Sequence, residues 1–345
     1  MIQFMVKKVC SIIAIVTLTG LTVSAQSTQY EHQRDSAFFN AASRWFEAWK
    51  LVYNSIYALD SMRPVDLVFF DDAYVYTTSA ITAGNGVPVK GPTLMHLPLQ
   101  WRKAPHDGKL TLPDSSVTPV RLMSFAAELP DAGHRSFFVM PLPSFWRKEG
   151  VESKELGLDN LLTGVFLHEF SHSQQMQNFG KKISAYEKES DFGIEFNDDI
   201  VQHIFKKDSL YLQQFNKELH HFYSSVQGSS LEKAEVREGL KTMNNRQQQY
   251  FTGKYQHVGE IDNFFLTMEG LGQYSMYLWM TSSKGGNIAR DLAIKGIRRG
   301  GKWWSQDEGL ALFLILDRLV EPRTWSKGMF GYDIVTVVDL INKEI

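Results

Sequence analysis

Between Asn263 and Ser283 the chain reads NFFLTMEGLGQYSMYLWMTSS, and Glu269 is the only Asp, Glu, Lys, Arg or His in it. A helix apolar on nearly every side belongs inside a packed core. An ionised carboxylate there is costly unless a cation compensates it, and the stretch contains no basic residue to do so. Any fold of this chain must therefore bring positive charge to Glu269 from another element or let the carboxylate reach solvent at the helix edge. Gly270 and Gly272 remove side-chain bulk beside it, so another helix can approach closely, and Gln273 lies one turn on, where it can orient a ligand from behind.

A source for that charge lies upstream, in Leu161-Leu-Thr-Gly-Val-Phe-Leu-His168-Glu169-Phe-Ser-His172-Ser-Gln-Gln-Met-Gln-Asn-Phe179-Gly180. Asp159 is suited to cap the start of this helix and Gly180 to end it. A spacing of four puts His168 and His172 one turn apart on one face, where two imidazoles can hold one zinc ion. Glu169 is offset by one residue, a position suited to a base that takes a proton from metal-activated water rather than to a ligand. The one cysteine, Cys10, removes Cys-based zinc sites, so any metal must be held by histidine and carboxylate. The H-E-x-x-H-x-x-G-x-x-H ligand spacing fails, because Gln175 and Asn178 stand where the glycine and third histidine would be. The third ligand must come from far along the chain. Glu269 is the best candidate; Glu260, Glu195, Asp191, Asp198, Asp199 and His257 are rivals in less apolar surroundings.

Val165 to Ser173, with His168, Glu169 and His172, resembles the active-site helix of the zincin metallopeptidases, and Glu269 in EGLGQY is similar to the distal third ligand of the gluzincin branch. The resemblance implies an α+β fold with a mixed sheet, a helical second lobe, zinc between the two and hydrolysis of peptide bonds. Gln174 departs from the extended pattern, which is usually hydrophobic there. Gln273 stands where thermolysin-like members carry Asp, and the interval from His172 to Glu269 is longer than in the aminopeptidase branch. The resemblance also implies a strand beside the active-site helix that pairs with extended substrate. Residues 135–141, the last strand signal before the helix, are the candidate, with an internal sheet strand as the alternative. Tyr250, Tyr255, His257, Tyr274 and Tyr277 are near enough in sequence to be considered as oxyanion donors. On an ideal helix, however, Tyr274 and Tyr277 point well away from Glu269.

The remaining organisation reads in three parts. Lys7 and Lys8, an apolar run from Val9 to Val23 and the small residues Ser24 and Ala25 match a cleaved export signal over 1–25. Its removal would take two lysines and no acid from a formal charge of −2, and would leave no cysteine. Residues 26–180 then form an α/β lobe ending in the active-site helix. It holds a helix near 35–59 and strands at 65–79, 117–125 and 135–141. Residues 181–345 form a helical lobe, with helices near 196–226, 231–250, 260–282, 287–297, 306–319 and 333–343. A charge balance of 36 basic to 38 acidic residues provides no field for a nucleic-acid backbone.

His220-His221 reads as a solvated helix face. Residues 297–305, with three cations beside two tryptophans, suggest either a grip for an anionic or sugar partner or simply a loop before the next helix; the loop is the reading adopted. The expectation is an exported zinc hydrolase acting on peptide or protein substrate, without stable membrane insertion after signal cleavage. His168, His172 and Glu269 hold the metal, Glu169 is catalytic and Gln273 lies behind the ligands. The alternative is an exported binding protein that keeps the fold and metal without turnover.

Overall fold

The computed structural model describes residues 31–129, 135–189 and 192–345. The expected signal at 1–25 and the rival ligand Asp191 lie outside the described residues. The first helix, α1, covers 31–49 and continues as a wider π-helical stretch over Lys50–Ile56. Phe38, Ala42, Trp45, Phe46, Trp49, Val52 and Tyr53 recur at three- and four-residue spacing and are all buried, so one stripe of this element faces the core.

Among the described residues eight strands follow: β1 (Val65–Phe70), β2 (Tyr74–Thr77), β3 (Val87–Pro88), β4 (Arg102–Pro105), β5 (Lys109–Thr111), β6 (Val117–Pro119), β7 (Phe125–Glu128) and β8 (Ser136–Pro141). Residues 65–79 form a hairpin rather than one strand. The Asp71 carboxylate accepts from the backbone N–H groups of Ala73 and Tyr74, both at 2.8 Å, and turns the chain there. The main sheet has the order β3-β4-β2-β1-β8-β7, with β1 and β8 parallel and the other pairs antiparallel; β5 and β6 form a separate pair. Every residue of β8 is buried, as befits a strand covered on both faces. Residues 135–141 therefore supply an internal strand, and among the described residues the sheet ends at β7.

Helices α2 (Pro143–Lys148) and α3 (Leu158–Gln175) come next. Asp159 does not cap α3: Gly157 holds the cap position, and Asp159 pairs with Arg147 at 2.9 Å. Nor does Gly180 end the helical path, which passes through a π-helical turn at Met176–Gly180 directly into α4 (Lys181–Glu189). The stretch 196–226 is two helices, α5 (Ile200–Phe205) and α6 (Ser209–Ser225). The break falls where the Asp208 carboxylate caps the N–H groups of Leu210 and Tyr211 at 3.0 Å. The remaining helices are α7 (Lys233–Tyr250), α8 (Val258–Thr281), α9 (Arg290–Arg298), α10 (Trp304–Leu319), α11 (Pro322–Met329) and α12 (Val337–Glu344). The molecule is thus mixed α/β, with the sheet in the N-terminal part and helices in the C-terminal part. Among the described residues no helix is long and apolar enough to cross a membrane.

One core cluster runs from Phe38 to Ile341 and includes residues of both parts. Helix α3 lies at its centre. Phe166 stacks on Trp45 and Phe170 meets Trp49 edge-on, while Phe138 of β8 meets both phenylalanines edge-on. The opposite face of α3 packs on α8: a Cβ on Gly164 would lie 2.5 Å from Met276. Burying each such aromatic contributes about 1.5–3 kcal/mol, so α3 is clamped from both sides and presents its histidines from a rigid base.

Candidate metal centre

The face of α3 that meets α8 carries His168 and His172, and the facing side of α8 carries Glu269. Nε2 of His168 lies 3.1 Å from Nε2 of His172 and 3.1 Å from Glu269 Oε2, and His172 Nε2 lies 3.2 Å from Glu269 Oε1. Tetrahedral ligands about 2.0–2.1 Å from a zinc-sized ion stand about 3.3 Å apart. Two imidazole nitrogens and a carboxylate at these separations make a donor set that fits one such ion. All three side chains are buried, so a single positive charge placed among them, proton or metal cation, is poorly screened by water. Glu169 joins the group from the side. One of its oxygens and a ring nitrogen of each histidine lie within 4.8 Å of one another, and the His168, Glu169, His172 group can hold a metal ion.

The titration behaviour follows from that enclosure. Burial would raise the Glu269 carboxyl, but the His172 and His168 imidazoles outweigh it and hold it well below the usual carboxylate range. Burial would also discourage a charge on His172, yet Glu269 reverses this and lifts it to about 9, whereas His168 is lowered by desolvation. Glu169 is pushed up to about 8 by desolvation. A carboxyl poised near neutrality is the kind that exchanges protons readily.

Three glutamines brace the centre. Gln175 Oε1 lies 3.4 Å from His172 Nδ1, on the ring nitrogen opposite the one aimed at Glu269. Gln306, at the start of α10, donates to Glu269 Oε2 at 3.1 Å and accepts from Gln273 at 2.6 Å. Gln273 thus lies behind the carboxylate but reaches it only through Gln306. Sequence reasoning missed Gln306, since it is 37 residues from Glu269; Gln175, three residues after His172, offered a local signal. Gln174, the departure from the zincin pattern, is fully buried and accepts from the backbone N–H of Arg63 at 2.8 Å.

Among the described residues no rival ligand makes direct contact with the two histidines. Glu260 is exposed and accepts from the Tyr186 hydroxyl; Glu195 is exposed; His257 is exposed against Gln256. Asp198 and Asp199 are pushed up to about 7 and about 6, first by burial and then by the Glu269 charge, but neither pairs with a histidine among the described residues. Tyr274 donates to Asp317 and Tyr277 packs against Tyr274, so neither serves the centre. Tyr250 and Tyr255 pack around Phe205. His221 is bound to Glu235 at 2.7 Å, away from His168 and His172.

The centre opens into a cleft of about 410 Å³ lined by His168, Glu169, Gln273, Gln306, Trp146 and Met276, among others. A larger hollow of about 550 Å³ is lined by Tyr223, Arg290 and Gly300, among others. Its cations are already engaged, Arg298 by Asp307, Lys295 by Glu155 and Arg290 by the Val226 carbonyl. The smaller cleft is lined by His168 and Glu169 and is the one equipped for chemistry. Comparisons with protein-family models, curated proteins and solved structures give no match.

Proposed function

We propose that this chain is an exported zinc-dependent hydrolase of zincin type that cleaves peptide bonds. The observation that carries the reading is the meeting of His168 Nε2, His172 Nε2 and the Glu269 carboxylate at 3.1–3.2 Å, with Glu169 beside them and a cleft in front. His168, His172 and Glu269 would hold the ion. Zinc, when bound, supplies Lewis-acid activation of water and of the carbonyl under attack. Glu169 takes the proton from the attacking water and delivers it to the leaving amine nitrogen. A carboxyl that desolvation pushes up to about 8 suits both halves of that transfer, and a neighbouring cation stabilises its ionised form.

Substrate is presented by the sheet. The outer edge of β7 has no strand partner among the described residues, and Leu122, Met123 and Ser124, which lead into β7, line the cleft. An extended peptide can add to such an edge through backbone hydrogen bonds. This assigns to β7 the role that the sequence reading placed at 135–141.

The decisive experiment couples metal analysis with turnover. The purified mature protein should carry one zinc per chain and cleave peptides of a proteome-derived library. Glu169→Gln should keep the zinc and the fold while hydrolysis falls by at least about 10²-fold. Unchanged turnover in that variant would reject the mechanism, and a metal-free wild type that cannot be loaded would reject the centre.

A further inference from the structure

Among the described residues, the cleft that holds His168 and Glu169 contains one permanently cationic lining residue, Arg299. It follows the last residue of α9 and has φ +48° and ψ +38°, the left-handed region that non-glycine residues rarely adopt. Gly300 and Gly301 continue in that region, each with φ +72°. Conformation alone favours a glycine at 299 as well, and an arginine held there points to a use for its side chain.

The residue before it does the anchoring. Arg298 binds the Asp307 carboxylate through two contacts, at 2.7 and 3.0 Å, and lies 3.7 Å over the ring of Tyr223, whose hydroxyl donates to the same carboxylate at 2.8 Å. Asp307 follows Gln306, so the start of α10 both braces Glu269 and pins this loop. Arg299 itself is exposed and forms no ion pair among the described residues; its electrostatic partner is Glu169. Trp146, Trp303 and Met276 give the cleft apolar walls that strengthen charge recognition. Ser124 also lines it, with a buried hydroxyl that has no partner among the described residues.

Resting on the hydrolase reading above, we propose that Arg299 is the anchor for a substrate carboxylate, so that the preferred peptides carry one near the scissile bond. That carboxylate is either the C-terminal group of a short peptide or the side chain of an Asp or Glu. A guanidinium meets a carboxylate with two parallel N–H donors, and among the described residues none of the others lining the cleft offers that recognition.

The test measures binding and cleavage side by side on the zinc-loaded mature chain, using the fluorescence of Trp146 and Trp303 for binding. The probes are an N-acetylated Ala-Leu pentapeptide with a free C-terminus, its C-terminal amide, and the same amide with one internal Glu. The acid or the Glu-bearing amide should bind about 10- to 100-fold more tightly than the neutral amide, and which of them wins identifies the carboxylate recognised. Arg299→Gly, which suits the local backbone, should remove the preference, Arg299→Lys should restore part of it, and Arg299→Glu should reverse it towards a Lys-bearing amide. Equal binding of all probes to the wild type, or a preference that survives Arg299→Gly, overturns the proposal. Cleavage without preference would sink the anchor and leave the hydrolase reading standing. An Arg299-dependent preference without cleavage would do the reverse.

Discussion

A Cβ placed on Gly272 would stand 2.5 Å from Nδ1 of His168. The second glycine of the EGLGQY segment is therefore the seat on which the imidazole rests, and the absence of a side chain there lets α8 bring Glu269 to the histidines. Gly270 has the matching role on the other side, where an added Cβ would fall 2.6 Å from the Gly309 carbonyl carbon of α10. Gly272→Ala should displace the His168 ring, cost about 1–3 kcal/mol of stability and weaken metal binding. Metal titration and thermal unfolding check this; wild-type metal affinity in a folded Gly272→Ala protein would contradict it.

The three proposed ligands should fail separately. His168→Ala, His172→Ala and Glu269→Ala each remove one of the three proposed donors, and each should lower zinc affinity by orders of magnitude. Stoichiometric zinc in a His168→Ala/His172→Ala double variant after dialysis would reject the site. Retention of full affinity by Glu269→Ala alone would move the third ligand elsewhere, with Asp198 the first place to look.

Gln306 donates to Glu269 and receives from Gln273, so the two glutamines should not be equivalent. Gln306→Ala should weaken zinc binding by about 10- to 100-fold, and Gln273→Ala by less, since it acts through Gln306. An inverted order, measured by competition with a chelating dye, would show that Gln273 contacts the centre directly.

Stability should carry a pH signature from a second buried cluster. Arg246 is fully buried, contacts Glu218 at 2.7 Å and lies near Glu308 and Asp262. Burial pushes all three acids up, Glu218 to about 7, against the partial relief that Arg246 gives them. The fold thus retains protons that the unfolded chain has released above about pH 4.5. Stability from this cluster is full below that value and is lost as pH rises towards 7 and beyond. Glu308→Gln should flatten this slope by about 1 kcal/mol or more between the two ends. Urea midpoints taken from pH 4.5 to 8 for both proteins give the difference, and parallel profiles would refute the assignment.

Much of the centre was legible in the chain because its determinants are local. The spacing of His168 and His172 puts both on one face of any α-helix, and the isolation of Glu269 in apolar sequence called for either a compensating cation or a route to solvent. The glycines beside it already permitted a close helix crossing. Strand and helix character along the chain followed the same local periodicities, and the boundaries missed at Asp71 and Asp208 were those set by side chains turning back onto the backbone.

Tertiary structure alone decided the rest, because the information is in contacts between distant residues. Whether 135–141 or 125–128 forms the sheet edge depends on which strand finds two neighbours, and no strand records this in its own pattern. Gln306 became the brace of Glu269 because α10 crosses α8 at two glycines, Gly270 and Gly309. The sequence 297–305 announced a cationic, aromatic loop. Only the pairing of Arg298 with Asp307 determined that Arg298 would be consumed internally and Arg299 left facing the cleft. A local pattern can specify what a helix presents, but which charges remain free is settled by what the other elements have already neutralised.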